Sequence, residues 1–109
     1  LSFFAEKLEK NLELLNNFTL WLGKKNNTSK DDVSAACNDY LKVLGFISLA
    51  FSWLKILRVS YEQLEKNKDF FSEKINTATY FFNKILPRVQ SHYLSGISGS
   101  ENMMKANFN

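Results

Sequence analysis

The chain has 109 residues, with ten Phe, two Trp and four Tyr but one Pro and four Gly, and a formal net charge of +3. A domain of this length buries roughly two thirds of the surface its unfolded chain exposes, so one core is attainable, and separate cofactor and substrate domains are not. One Cys and one His exclude a disulfide framework and a protein-only zinc site, while 45% apolar and 23% charged residues exclude intrinsic disorder.

The chain opens at Leu1-Ser2-Phe3-Phe4, already within a helical pattern and with no basic stretch before it, so no signal peptide is expected and a piece of a longer protein is. From about Ser2 to Lys24, the residues Phe4, Leu8, Leu12, Leu15, Phe18 and Leu22 recur every three or four positions and predict an amphipathic helix. Gly23 and the run Lys24-Lys25-Asn26-Asn27 are expected to end it in a polar loop.

Ser29 begins the second helix: its side chain suits an N-cap, and Asp31 and Asp32 suit the positive helix end. Val33, Cys37, Tyr40, Leu44, Ile47, Phe51, Leu54, Arg58 and Tyr61 then alternate steps of four and three, the seam of a long helix reaching about Lys66. A second row, Phe46, Ala50, Trp53, Leu57 and Leu64, lies one residue earlier, roughly 100° round the axis. A helix this broadly apolar is expected at the centre, touching two or more neighbours. Ser48, Ser52 and Lys55 interrupt the run, so no membrane span is predicted. Gly45 is a candidate bend or close-approach point, and Cys37 reads as a buried packing residue.

Glu65 to Asp69 is a polar break, with Asp69 as the expected N-cap of a third helix. Phe71, Ile75, Ala78, Phe82, Ile85, Val89 and Tyr93 mark its apolar face, which ends near Ser95-Gly96. Pro87 removes an amide donor and crowds the carbonyl of Asn83, so a kink is predicted there. After Gly96-Ile97-Ser98-Gly99-Ser100, residues 101–108 suggest a short last helix with Met103, Met104 and Phe108 as contacts. The predicted fold is all-α: an up-down antiparallel bundle of three long helices plus a short C-terminal one, a single domain over residues 1–109.

No phosphate-binding loop, dinucleotide fingerprint or nucleophile elbow occurs. His92 has no partner at a telling spacing, and Glu62, Glu65, Glu73 and Glu101 sit among Lys and polar residues as on a solvated face. No catalytic, cofactor-binding or metal-binding residue is therefore assigned. The small basic loops at 24–27 and 66–68 are diluted by neighbouring Asp, so no nucleic-acid partner is expected. The row Phe46, Leu49, Trp53 and Leu57 is the candidate intermolecular interface, because three helices need not cover both of its flanks.

Tyr40-Leu41-Lys42-Val43-Leu44-Gly45-Phe46 followed by Trp53-Leu54, then Lys74-Ile75-Asn76-Thr77-Ala78 running through Tyr80-Phe81-Phe82 into Leu86-Pro87, resembles the C-terminal domain of bacterial acyl-CoA dehydrogenases. The likeness covers about residues 33–104, and the tail from Leu94 to Met104 resembles that family's ending. It implies a parent flavoprotein that removes hydrogens from the α and β carbons of acyl-CoA thioesters, with a carboxylate base and FAD held outside this stretch. It further implies the catalytic domains of the same enzyme as partners, a homo-oligomer and a cytoplasmic setting. Lys74, Thr77, Ala78, Leu86 and Pro87 carry over as structural positions of the family pattern. Two rival readings stand beside this: a standalone helical interaction protein that dimerises through its second helix, and a small enzyme or cofactor binder using an interhelical groove.

Overall fold

The computed structural model describes residues 1–99; the short helix expected over residues 101–108 lies outside them. Among the described residues the fold is all-helical: α1 (Ser2–Thr28), α2 (Lys30–Gln63), a 3₁₀ turn (Leu64–Lys66), α3 (Lys68–Tyr80), a π turn (Phe81–Ile85) and α4 (Arg88–Ile97). α3, the π turn and α4 together form one long bent rod. The predicted bundle of three long helices is thus the observed one, its overall extents being 60 × 27 × 17 Å. α2 is the central member: α1, α3 and α4 all pack on it, and α1 also packs on α4.

α1 does not stop at Gly23. It continues through Lys24–Asn27 to Thr28, whose Oγ1 donates to Lys24 O, and Ser29 alone links it to α2. Ser29 has extended backbone (φ −153°, ψ 98°). Its amide donates to Lys25 O, closing α1, while its Oγ accepts from the Asp32 amide at 3.3 Å, opening α2. One residue thereby serves both helix ends, and the Lys25–Asp32 ion pair at 3.4 Å spans the link. A single Gly in a helix costs only ~1 kcal/mol against Ala, so Gly23 does not terminate a helix whose end is capped elsewhere.

Burial on α2 is turned from the predicted seam by about one residue. Ala36, Val43, Ile47, Ala50 and Leu57 are buried, whereas Cys37, Phe51, Arg58 and Tyr61 are exposed. The inward direction therefore runs between the two predicted rows, nearer the second, because α1 and α4 flank α2 from two sides rather than one. Ala36 and Ala50 let backbones approach at the centre of this strip. Cys37 is correspondingly a surface thiol and not a core residue. Gly45 is no close-approach point, since a Cβ there would meet nothing within 4 Å. Lys30–Lys66 is nevertheless long and apolar enough, by length and composition, to cross a membrane, which the interrupted pattern had argued against. In this fold it is the packed middle of a bundle.

The N-cap of α3 is Asn67, not Asp69: its Oδ1 accepts from the Phe70 amide at 3.2 Å, leaving Asp69 in the first turn. At the other end of that rod the chain widens. The Leu86 amide bonds back five residues to Phe81 O at 2.9 Å, and α4 starts directly after Pro87. Proline has no amide to offer Asn83, so the bend predicted at Pro87 is absorbed in the turn preceding it. The wide turn brings two consecutive aromatics, Phe81 and Phe82, into the core. Phe82 meets Phe4 of α1 at 5.2 Å between centroids.

The far end of the core is built on Phe18. Tyr40, Tyr93 and Trp21 surround its ring at centroid distances of 5.1, 5.7 and 6.1 Å. Gly96 closes the ring's remaining side: a Cβ there would lie 3.0 Å from both Phe18 Cε atoms and still nearer its Cζ. Fully burying a side chain of this kind contributes roughly 1.5–3 kcal/mol. Phe18 of α1, Leu57 of α2, and Phe82 and Leu86 at the bend of the long rod are the largest fully buried side chains.

Candidate functional site

The chemistry-bearing residues that the fold brings together lie where α2 crosses α4. His92 Nδ1 sits 2.7 Å from Asp39 Oδ1 across 53 residues of sequence. The imidazole also stacks on the Phe46 ring, with centroids 5.9 Å apart and planes inclined by 26°. Asp39 and Phe46 are seven residues apart, two turns along one face of α2, which is why one residue of α4 can meet both. Sequence spacing within either helix does not expose the pair, because its members lie on different elements. The available signal is the placement of Asp39 one heptad before Phe46 on a helix expected to be central.

A carboxylate that orients an imidazole is half of a nucleophilic arrangement, and the other half is a hydroxyl or thiol on the second nitrogen. Among the described residues none is hydrogen-bonded there, and Cys37 faces outward. The pair acts as a partly buried clasp holding α4 to α2. No group of three or more His, Cys, Asp or Glu among the described residues is placed to hold a metal ion.

The predicted interface row divides. Leu57 is fully buried inside the chain, Phe46 is half-buried against His92, and Trp53 is half-buried with Phe81 at 6.5 Å. Only Leu49 of the four points outward, 50% exposed. It lines a shallow groove with Gly45, Ser48 and Ser52 on the free face of α2.

Of the family-pattern residues, Ala78 and Leu86 are buried, and Thr77 Oγ1 donates to Glu73 O at 2.9 Å within its own helix. Lys74 is exposed, its ammonium 5.4 Å above the Phe70 ring. Pro87 follows the π turn.

A second uncovered apolar region lies around Lys55 on the C-terminal half of α2, where the start of α1 and α3 flank it. There Phe51, Val59 and Phe70 are each about half exposed. Two grooves meet at Lys55. One, of about 460 Å³, runs between the start of α1 and α2 over Phe51 and Leu54, with Arg58 beside it. The other, of about 350 Å³, runs between α2 and α3 over Ile56, Val59 and Phe70, with Lys74 beside it. The spacing of apolar residues does not reveal this region, because it places Phe51 on the inward seam.

Across residues 1–107 the chain matches the family described as acetyl-CoA dehydrogenase C-terminal like. No curated protein and no solved structure matches it.

Proposed function

The chain belongs to the acetyl-CoA dehydrogenase C-terminal-like family, and on that premise we propose that it is the C-terminal helical accessory domain of an FAD-dependent acyl-CoA dehydrogenase. In this reading it does no chemistry itself. It packs on the catalytic domains of the same enzyme and supports a cytoplasmic homo-oligomer, while the parent dehydrogenates acyl-CoA thioesters between the α and β carbons.

The family match over almost the whole chain carries this reading. The surface supports it: Leu41, Leu49, Phe51, Val59 and Phe70 are each at least 45% exposed, and uncovered apolar surface is characteristic of interaction sites.

The two grooves that meet at Lys55 do not by themselves fit a flavin. They are floored by aliphatic and aromatic side chains, with only cations and one serine in each, Ser2 and Ser60, contributing polar side chains. A flavin's pyrimidine edge and pyrophosphate call for a converging set of donors and acceptors, which neither groove supplies. In this reading the flavin is held elsewhere in the parent, and no step is assigned to these residues.

The test is an immunoblot of native cell extract, fractionated by size and followed by flavin absorbance. A band several-fold heavier than the chain's 12.6 kDa that elutes with flavin is expected. A band at that mass, away from flavin, overturns the reading in favour of a free-standing helical protein.

A further inference from the structure

We infer that the surface around Lys55, where the start of α1 and α3 flank α2, is the docking surface for an amphipathic helix with acidic flanks, supplied by another part of the parent enzyme. This rests on the accessory-domain reading and adds to it a location and a partner chemistry.

Three observations converge on this surface. The first is shape. The two grooves lie on either side of Lys55 and are concave, about 460 and 350 Å³. Concave apolar channels between helices accept the ridge of another helix. A flat lipid surface is met instead by protruding side chains, so a membrane is the poorer occupant.

The second is the uncovered floor. Phe51 and Phe70 remain 45% and 49% exposed, and Val59 between them 48%. Phe51 lines the groove against α1, and Val59 and Phe70 line the groove against α3, with Lys55 common to both.

The third is charge. Lys55, Arg58 and Lys74 line the grooves, and no carboxylate lines either one. Lys74 is already held over the Phe70 ring at 5.4 Å. Three cations around an apolar floor complement carboxylates flanking an apolar ridge. They oppose a second copy of the same surface, which would set cation against cation.

The experiment uses the native full-length protein from cell extract. Zero-length carbodiimide crosslinking joins amines to carboxylates in contact, and hydroxyl-radical footprinting reads the exposure of Phe51 and Phe70. Crosslinks from Lys55 and Lys74 to Asp or Glu on an apolar helix outside this chain are expected. Phe51 and Phe70 are then protected while Tyr80, 61% exposed, is not. The double substitution Lys55→Glu, Lys74→Glu should abolish those crosslinks and weaken the association about tenfold, the scale of charge-pair coupling, with helical content by circular dichroism unchanged.

Free oxidation of Phe51 and Phe70 in an assembly that still carries flavin overturns the surface and leaves the accessory-domain reading standing. Crosslinks between two copies of this chain overturn the acidic partner, as does protection that appears only on adding phosphatidylcholine–phosphatidylglycerol vesicles. Should the chain run free of flavin, the accessory-domain reading fails. The footprint then decides the surface alone: free Phe51 and Phe70 overturn it, and protection with crosslinks to acidic residues of a helix in another protein upholds it.

Discussion

Substituting Gly96 by Ala sets two opposing effects against each other, and the structure says which wins. Alanine is the better helix former by about 1 kcal/mol. Gly96 lies inside α4, and the described chain has positive φ only at Gly99, so the backbone accepts alanine without strain. The obstacle is Phe18, whose Cε atoms would stand 3.0 Å from the new methyl and whose Cζ would be closer still. An exposed ring would simply turn away. Phe18 is fully buried and boxed by Tyr40, Tyr93 and Trp21, so relief requires α4 to move off α1. Overpacking of this sort costs about 1–3 kcal/mol, and a ring wedged on every side argues for the upper figure. The net expectation is a loss of about 2 kcal/mol, or a fall in Tm of roughly 8–16 °C for a domain of this size. Gly45→Ala is the control: its methyl meets nothing within 4 Å, so it should gain up to about 1 kcal/mol. Urea unfolding of the purified chain, followed by circular dichroism, measures both. The double variant Phe18→Leu, Gly96→Ala should cost less than its two single changes together, because leucine vacates the Cζ position. A Gly96→Ala chain as stable as the Gly45→Ala chain would refute the close contact on which the reasoning depends.

Asn67→Ala should cost ~1 kcal/mol in the same assay through loss of the α3 cap, and Asp69→Ala clearly less; equal losses would return the cap to Asp69. His92→Ala removes the partner of Asp39 and the ring stacked on Phe46, for a loss of about 1–2 kcal/mol. Amide exchange should then quicken over Arg88–Ile97 before it does so in α1. Leu57→Ala should cost about 2–5 kcal/mol, whereas Leu49→Ala should stay within about 0.5 kcal/mol of the parent chain. Similar losses at the two sites would mean that α2 is turned otherwise than described.

The helices themselves were legible in the sequence, and the seam of α1 falls where the spacing places it: Phe4, Leu8 and Phe18 are buried. Periodicity fails on α2 for a physical reason. That helix carries more apolar residues than this chain can cover, so spacing alone cannot say which row faces inward; its neighbours decide. Phe51 and Tyr61 sit on the better-formed sequence row and end in solvent. The caps show a finer limit, since Asn67 and Asp69 are both good capping residues two positions apart, and hydrogen-bond geometry at the Phe70 amide chooses between them. The clasp between Asp39 and His92 depends on how two helices cross, which no local pattern encodes. The uncovered surface around Lys55 escapes the pattern for the same reason, since the spacing puts Phe51 on the inward row while its neighbours leave it in solvent.

The wide turn over Phe81–Ile85 has a consequence for how the bent rod keeps its register. A π turn is an α-helix holding one residue more than its pitch requires. α3 and α4 therefore keep their apolar faces in step only because the surplus is taken up between them. Removing the exposed Lys84 would take that surplus away, and at ordinary pitch the Pro87 ring would then press on the carbonyl four residues before it. The same one-residue deletion in the middle of α2 would swing every later side chain by about 100° and empty the core. The surplus residue is thus what allows a proline to follow the turn while Ala78 and Val89 on either side of it both stay buried.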